Sequence, residues 1–156
     1  MYDLRKIKIC KFASQETTCF EAELTKNGKT IAHVSNDGHG GCNRTHFISD
    51  AERQEFNNFL DTQPPIITEW SPEGIKTDAD IFVANLLEKH EEQKWLKRHT
   101  KAKTVVKLKS HNKGEWTVFS MPFTANVAAQ LRKKYGDDLL CIANENLDLA
   151  ANVSCR

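Results

Sequence analysis

The dipeptide Asn27-Gly28 constrains the fold of this chain more than any other short feature. Both positions tolerate positive φ, which a tight two-residue hairpin turn requires. The flanking segments, 18–25 and 30–35, alternate apolar and polar residues in the way that half-buried strands do. Residues 4–12 alternate in the same way. The N-terminal part of the chain therefore predicts a three-stranded antiparallel meander.

Three helices are predicted from their end signals. Capping boxes at residues 49–52 and 77–80 predict the start of the first two helices. In such a box a serine or threonine, and an acidic residue three positions later, accept N–H groups that the first turn leaves unpaired. The second helix is expected to be long, from about residue 78 to 99. Thr124 caps the third helix, which ends at Gly136, where a C-terminal glycine belongs.

The C-terminal half is expected to add a second antiparallel element. Residues 103–109 alternate, and residues 115–120 return after a turn, so they predict a hairpin; residues 139–143 follow as a last strand. The predicted fold class is α+β, in the order βββ-α-α-ββ-α-β. No linker or repeat interrupts it, which favours a single domain over 1–143 with a loosely held tail over 144–156.

Composition excludes some classes of protein and partner. The chain has 156 residues, 39% of them apolar and 28% charged, which suits one domain with a small core. The formal net charge of +1 selects neither nucleic acid nor an acidic partner. No apolar run approaches the roughly 18 residues of a membrane span, so no membrane partner is expected. An odd count of five cysteines and the lack of a secretion signal predict a reducing compartment, the cytoplasm.

The loop over residues 36–43 is unusually rich in glycine. Three glycines in four residues let the backbone turn through positive φ and expose consecutive N–H groups, which can bind a phosphate or carboxylate. A small-ligand or nucleotide site is one prediction; a tight connection between a strand and a helix is the alternative. The predicted ligand-binding residues are Asn36, Asp37, Gly38, Gly40, Gly41 and Asn43.

The same loop contains candidate metal ligands. His39, Cys42 and His46 have spacings from which imidazole and thiolate groups can reach one tetrahedral zinc ion. A fourth ligand, His33 or Cys19, would have to come from elsewhere in the chain. Zinc is thus a possible cofactor, and an ordinary polar loop is the alternative. Cys42 beside a histidine is also a conceivable nucleophile, but no complete catalytic set is present, and this favours a binding protein over an enzyme.

Residues 94–113 are strongly basic and contain no acidic residue. A cationic strand face with aromatic residues at its ends suits a phosphate backbone and unpaired bases, or an acidic protein partner. A solvated hairpin that balances the acidic remainder of the chain is the alternative. The residues predicted for this surface are Lys97, Arg98, Lys101, Lys103, Lys107, Lys109, Lys113 and Trp116.

Several strings along the chain resemble a loose group of small uncharacterised proteins encoded by bacteriophages and prophages. The matching strings lie at residues 27–29, 34–43, 94–98, 128–137 and 142–145. The resemblance implies a phage origin and a location in the host cytoplasm. It transfers no functional residue, because the group has no agreed activity.

Three hypotheses of function follow. The first is a phage accessory protein that binds and modulates, most simply inhibits, a host protein such as a component of anti-phage defence. The second is a nucleic-acid-binding module that uses the basic 94–113 segment. The third is a nucleotide- or zinc-binding protein built on the glycine-rich loop, residues 36–46.

Overall fold

A computed structural model describes residues 1–68 and 70–154, and it has the predicted α+β class with antiparallel sheets. The chain divides into two compact units, Met1–Leu87 (unit 1) and Glu88–Arg156 (unit 2). The boundary falls inside a long helix, which agrees with the absence of a linker in the sequence. A single domain over 1–143 stays a prediction.

The elements of unit 1 are the strands and helices β1 (Tyr2–Ile9), β2 (Phe20–Lys26), β3 (Lys29–Asn36), β4 (Arg44–Phe47), α1 (Asp50–Asp61), β5 (Ile66–Thr68), β6 (Ser71–Ile75) and the first part of α2 (Ala79–His99). Unit 2 contains the end of α2 and the elements β7 (Thr104–Leu108), β8 (Thr117–Phe119), α3 (Ala125–Tyr135), β9 (Leu139–Ile142) and α4 (Leu147–Ser154). Short 3-10 turns lie at Lys11–Ala13 and Gly136–Asp138.

The predicted meander is present and has one further strand. Strands β1 to β4 pair antiparallel in sequence order, with Asn27 at φ 50° and Gly28 at φ 87° in the β2–β3 turn. Strand β4 pairs with β3, so that Ala32 lies opposite Phe47. Sequence reasoning missed β4 because it is only four residues long and directly follows a glycine-rich loop.

Aromatic side chains from several elements form the core of unit 1. Phe56 of α1 is fully buried, and its ring contacts those of Tyr2, Phe47 and Phe82 at centroid distances of 5.0, 5.7 and 5.5 Å. Helix α1 begins where predicted, because the Ser49 hydroxyl accepts the N–H of Glu52 at 3.2 Å. The capping box thus fixes the helix whose apolar face covers the meander.

A short hairpin of β5 and β6 lies between α1 and α2, where the predicted order of elements has no strand. Ile66 lies opposite Ile75 in this two-stranded sheet. Ile67 and Trp70 are 72% and 94% exposed, so the hairpin presents apolar groups to solvent. Single exposed apolar residues are common on protein surfaces, but an almost fully exposed tryptophan is unusual.

Strand β7 is the centre of unit 2. It lies between β8 and β9, and all five of its residues are buried. Val106 and Leu108 pack against Leu131 of α3 on one face. On the other face Val105 packs in a cluster with Leu96 of α2. The sheet of unit 2 is therefore covered on both faces.

The tail that the sequence predicted to be loosely held from residue 144 contains a helix in its described part. Residues Leu147–Ser154 form α4, in which Ala150 and Ala151 are buried. Ala150 belongs to the same cluster as Val105. The sequence did not predict this helix, because its buried residues are small alanines. Their burial depends on the face of β7 that they cover.

Burial of both faces also corrects the prediction for Lys107. The alternation of β7 predicted that Lys107 faces solvent, but this side chain is only 3% exposed. Its ammonium group donates to the carbonyl oxygens of Asn112 and Glu115 at 2.7 and 2.9 Å. It lies 5.5 Å from the centroid of the Trp116 ring. Lys107 therefore closes the β7–β8 loop instead of serving an external ligand.

Replacing Lys107 with methionine should destabilise the protein. The variant keeps a side chain of similar length but loses two charge-assisted hydrogen bonds, so we expect a loss of about 1.5–3 kcal/mol in the free energy of unfolding. Lys109→Met is the matched control, because Lys109 is exposed; its effect should stay within about 0.5 kcal/mol. Urea unfolding of both variants measures the difference. Equal stabilities would contradict the structural role of Lys107.

Candidate functional site

The glycine-rich loop is organised by the side chain of Asn36, the last residue of β3. Its Oδ1 accepts the N–H of Gly38 at 2.9 Å and the hydroxyl of Thr17 at 2.7 Å. Its Nδ2 donates to the carbonyl of Gly41 and to Oδ1 of Asn43, both at 3.2 Å. Asn36 is 7% exposed, so its amide group is committed to the loop and not to a ligand.

Several backbone N–H groups of the loop also donate to acceptors within the protein. The N–H of His39 donates to Asp37 and that of Gly40 to the Thr17 hydroxyl, each at 3.3 Å. The N–H of Asn43 donates to the Asp80 carboxylate at 2.6 Å. These acceptors use several of the donors that an anion would need. These internal acceptors favour the alternative of a tight connection, here between two strands, and the anion site stays a prediction.

The Gly38 carbonyl links this loop to the segment after the first 3-10 turn. It accepts the N–H groups of Gln15, Glu16 and Thr17 at 3.0, 3.0 and 3.3 Å. Gly38 has a φ of +87°, and a Cβ there would lie 2.1 Å from the carbonyl oxygen of Ala13. Only glycine fits this close approach.

The predicted zinc ligands do not come together. His39 Nδ1 lies 3.3 Å from the side-chain oxygen of Gln15, whereas His46 is on β4 directly opposite His33 of β3. Cys42 is exposed. Among residues 1–68 and 70–154, no three histidine, cysteine or acidic side chains are grouped to hold a metal ion. The structure therefore gives the zinc prediction no support.

Two further residues of the predicted basic surface are engaged within unit 2. Lys113 forms an ion pair with Glu88 of α2 at 2.7 Å. The indole N–H of Trp116 donates to the Glu92 carboxylate at 2.7 Å. One acidic stretch of α2 thus holds the β7–β8 loop, and Trp116 is not free to stack on a base.

Five cations of that prediction are exposed and have no ion pair among the described residues. Four of them are close in sequence, and we call them the cationic turn: Lys97, Arg98, Lys101 and Lys103. The fifth, Lys109, follows β7. All four are exposed, and within the described part of the chain none of them has an ion pair within 4.0 Å. The first two lie in the last turn of α2, where cations also offset the helix dipole. The other two precede β7. They are close in sequence and have no acidic residue between them.

The backbone of the cationic turn is held by Asn144. The Nδ2 group of Asn144 donates to the carbonyls of Thr100 and Lys103 at 3.1 and 2.8 Å. Its Oδ1 accepts the N–H of Val105 at 2.9 Å. Three hydrogen bonds from one half-buried side chain therefore fix the turn that carries the free cations. Sequence reasoning placed Asn144 in the tail and missed this role.

The net charge of +1 conceals an uneven distribution of charge. Unit 2 has thirteen lysines and arginines against eight aspartates and glutamates, a formal charge of +5. Unit 1 has nine against thirteen, a formal charge of −4. The field around unit 2 therefore favours an anionic partner, which the overall charge did not indicate.

The conformation of the glycine-rich loop can be tested with two matched alanine variants. Gly38 and Gly41 have φ of +87° and +88°, but a Cβ at Gly41 meets no atom within 4 Å. Gly41→Ala should thus cost only the left-handed strain, about 1–2 kcal/mol. Gly38→Ala adds a clash with backbone and should cost about 1–3 kcal/mol more. Equal urea midpoints for the two variants would contradict the packing of Gly38 on residues 13–17.

Comparisons with protein-family models, with curated proteins and with solved structures find no match. The resemblance to small bacteriophage proteins consequently stays a prediction. No helix of the described residues combines the length and the apolar content that a membrane-spanning segment requires.

Proposed function

We propose that this chain is a binding protein whose ligand is nucleic acid, contacted through the cationic turn of unit 2. The observation that carries the proposal is the set of four exposed cations that form no ion pair with any described residue, on a turn fixed by Asn144. Cations that have no internal partner lose little when they contact phosphate groups, since no ion pair has to be broken first. The released counterions then drive binding.

The geometry favours contacts to the phosphate backbone over base recognition. Trp116, the aromatic residue predicted for the surface, donates to Glu92 and lies against Lys107. Trp95 is half-buried and stacks on His99 at a centroid distance of 4.0 Å. Because neither indole is free to receive a base, affinity should depend weakly on sequence and strongly on salt.

The proposal predicts that charge position, and not total charge, governs affinity. Lys101→Gln/Lys103→Gln should weaken binding of a fluorescent single-stranded oligonucleotide and lower the slope of log K against log salt by about 1.4 in magnitude, or about 0.7 per lost phosphate contact. Lys8→Gln/Lys11→Gln removes the same charge from exposed positions of unit 1. This control should leave both the affinity and the slope unchanged.

Fluorescence anisotropy across a salt series gives both quantities from one titration. Equal losses in the two double variants would mean that only net charge matters, and the cationic turn would not be the site. No binding by the unsubstituted chain at low salt would overturn the proposed function altogether.

The second candidate function is the binding of a host protein, as the resemblance to bacteriophage proteins implies. The observation that favours it is the β5–β6 hairpin, where Ile67, Trp70 and Ile75 are 72%, 94% and 45% exposed. Exposed tryptophan is enriched among the residues that dominate binding energy in protein interfaces. The host cytoplasm would be the location of this interaction.

Affinity capture from bacterial lysate tests the second candidate with two variants. Trp70→Ala should lose a specifically captured protein that Lys101→Gln/Lys103→Gln still retains, and truncation of a dominant interface residue should weaken its binding about 30-fold or more. Capture that is unaffected by Trp70→Ala, or that disappears after nuclease treatment, would contradict it.

A further inference from the structure

Cys10 and Cys19 are neighbours across the first two strands of the meander. The β1–β2 register ends with Ile9 opposite Phe20, and the next residue on each side is a cysteine. The N–H of Cys10 donates to the carbonyl of Cys19 at 2.9 Å, which continues the ladder by one step. Residues directly opposite in an antiparallel pair have Cα atoms about 4.5–5.5 Å apart, inside the range that a disulfide spans.

A single hydroxyl group holds the backbones of both cysteines. Ser14 Oγ donates to the carbonyl of Cys10 and accepts the N–H of Cys19, each at 2.9 Å. The intervening segment therefore forms a tight turn and not an open loop. Residues directly opposite in an antiparallel ladder have their side chains on the same face of the sheet, so the two thiols lie on one face.

The two thiols differ in accessibility. Cys10 is exposed and Cys19 is half-buried. Partial burial, followed by the neighbouring Cys10 thiol and Asp37, raises the pKa of Cys19. Cys19 also packs against the glycine-rich loop, since a Cβ added to Gly38 would lie 2.9 Å from the Cβ of Cys19. A small oxidant therefore reaches Cys10 first, and Cys19 is positioned to complete the reaction.

We propose that Cys10 and Cys19 form a reversible dithiol–disulfide pair that exchanges with a low-molecular-weight disulfide such as glutathione disulfide. The Cys10 thiolate attacks one sulfur of the oxidant, forms a mixed disulfide and releases one glutathione thiolate. The Cys19 thiolate then attacks Cys10 Sγ and displaces the second glutathione. The two cysteines together lose two electrons and two protons, and glutathione disulfide becomes two glutathione thiols.

Oxidation would link the residue that follows β1 to the residue that precedes β2 by a covalent bond. The bond closes the short segment that donates three N–H groups to the Gly38 carbonyl. Because a closed loop has fewer unfolded conformations, the oxidised chain should unfold at a higher urea concentration than the reduced chain. Dithiothreitol should reverse this shift.

Peptide mapping of the full chain tests the proposal. After exposure to glutathione disulfide, acid quenching and alkylation, trypsin separates Cys10 from Cys19 because it cleaves after Lys11. The expected product is the Cys10–Cys19 linked peptide, with the loss of two alkylatable thiols and a mass lower by about 2 Da. Cys42→Ser is the control; it removes an exposed thiol of the glycine-rich loop and should leave the yield of linked peptide unchanged.

A parallel reaction in denaturing urea separates the effect of the fold from that of sequence proximity. The linked peptide should form several-fold faster in the native chain, because the register holds the thiols together. In the Cys10→Ser variant, glutathione should add to the half-buried Cys19 more slowly than it adds to Cys10 in the unsubstituted chain. Accumulation of glutathione on Cys10 with Cys19 still free, preferential linkage to Cys42, or equal rates in urea would each overturn the proposal.

Discussion

Burial of β7 on both faces is the constraint on which the structure of unit 2 depends. An antiparallel strand between two partners already has its backbone groups paired, so its side chains decide what must cover it. Val106 and Leu108 require α3, whereas Val105 requires α4 and the end of α2. The helices of unit 2 and its two apolar clusters are placed by this one strand.

The same constraint sorts the basic residues into two groups. Lys107 lies on a covered face, and its charge is stabilised by two carbonyl oxygens and the Trp116 ring. Lys101 and Lys103 precede the buried strand and stay in solvent. A continuous basic run in the sequence thus contains lysines that are engaged within unit 2, such as Lys107 and Lys113, and a separate exposed turn. The exposed turn is the part that supports a nucleic-acid function.

The glycine-rich loop of unit 1 illustrates how internal hydrogen bonds can occupy an apparent ligand site. Its glycines have the positive φ that an anion-binding loop needs. The sequence pattern does not indicate whether the N–H groups of the loop already have acceptors within the protein. Two of the acceptors in the loop, Asn36 and Asp37, belong to the loop itself. The other two come from Thr17 and Asp80, which are far from it in sequence. The distinction between a site and a connection therefore depended on tertiary contacts.

Local signals in the sequence predicted the elements that local chemistry determines. The Asn27-Gly28 turn is confirmed, and the hydroxyls of Ser49 and Thr124 cap their helices. Strand β4 and helix α4 were missed, because neither has a strong pattern of its own and each forms against a surface supplied by other elements. For the candidate site, composition identified the basic segment, but only packing showed which of its side chains are engaged within unit 2.

The central claim is that the cationic turn of unit 2 contacts nucleic acid, and backbone NMR spectroscopy tests it most directly. Titration of the isotope-labelled chain with a short single-stranded oligonucleotide should shift the amide signals of residues 97–103, with smaller changes at Asn144, which holds that turn. Added salt should reverse these shifts, because the contacts are to phosphate groups. Shifts confined to the glycine-rich loop or to the β5–β6 hairpin, with residues 97–103 unaffected, would contradict the account.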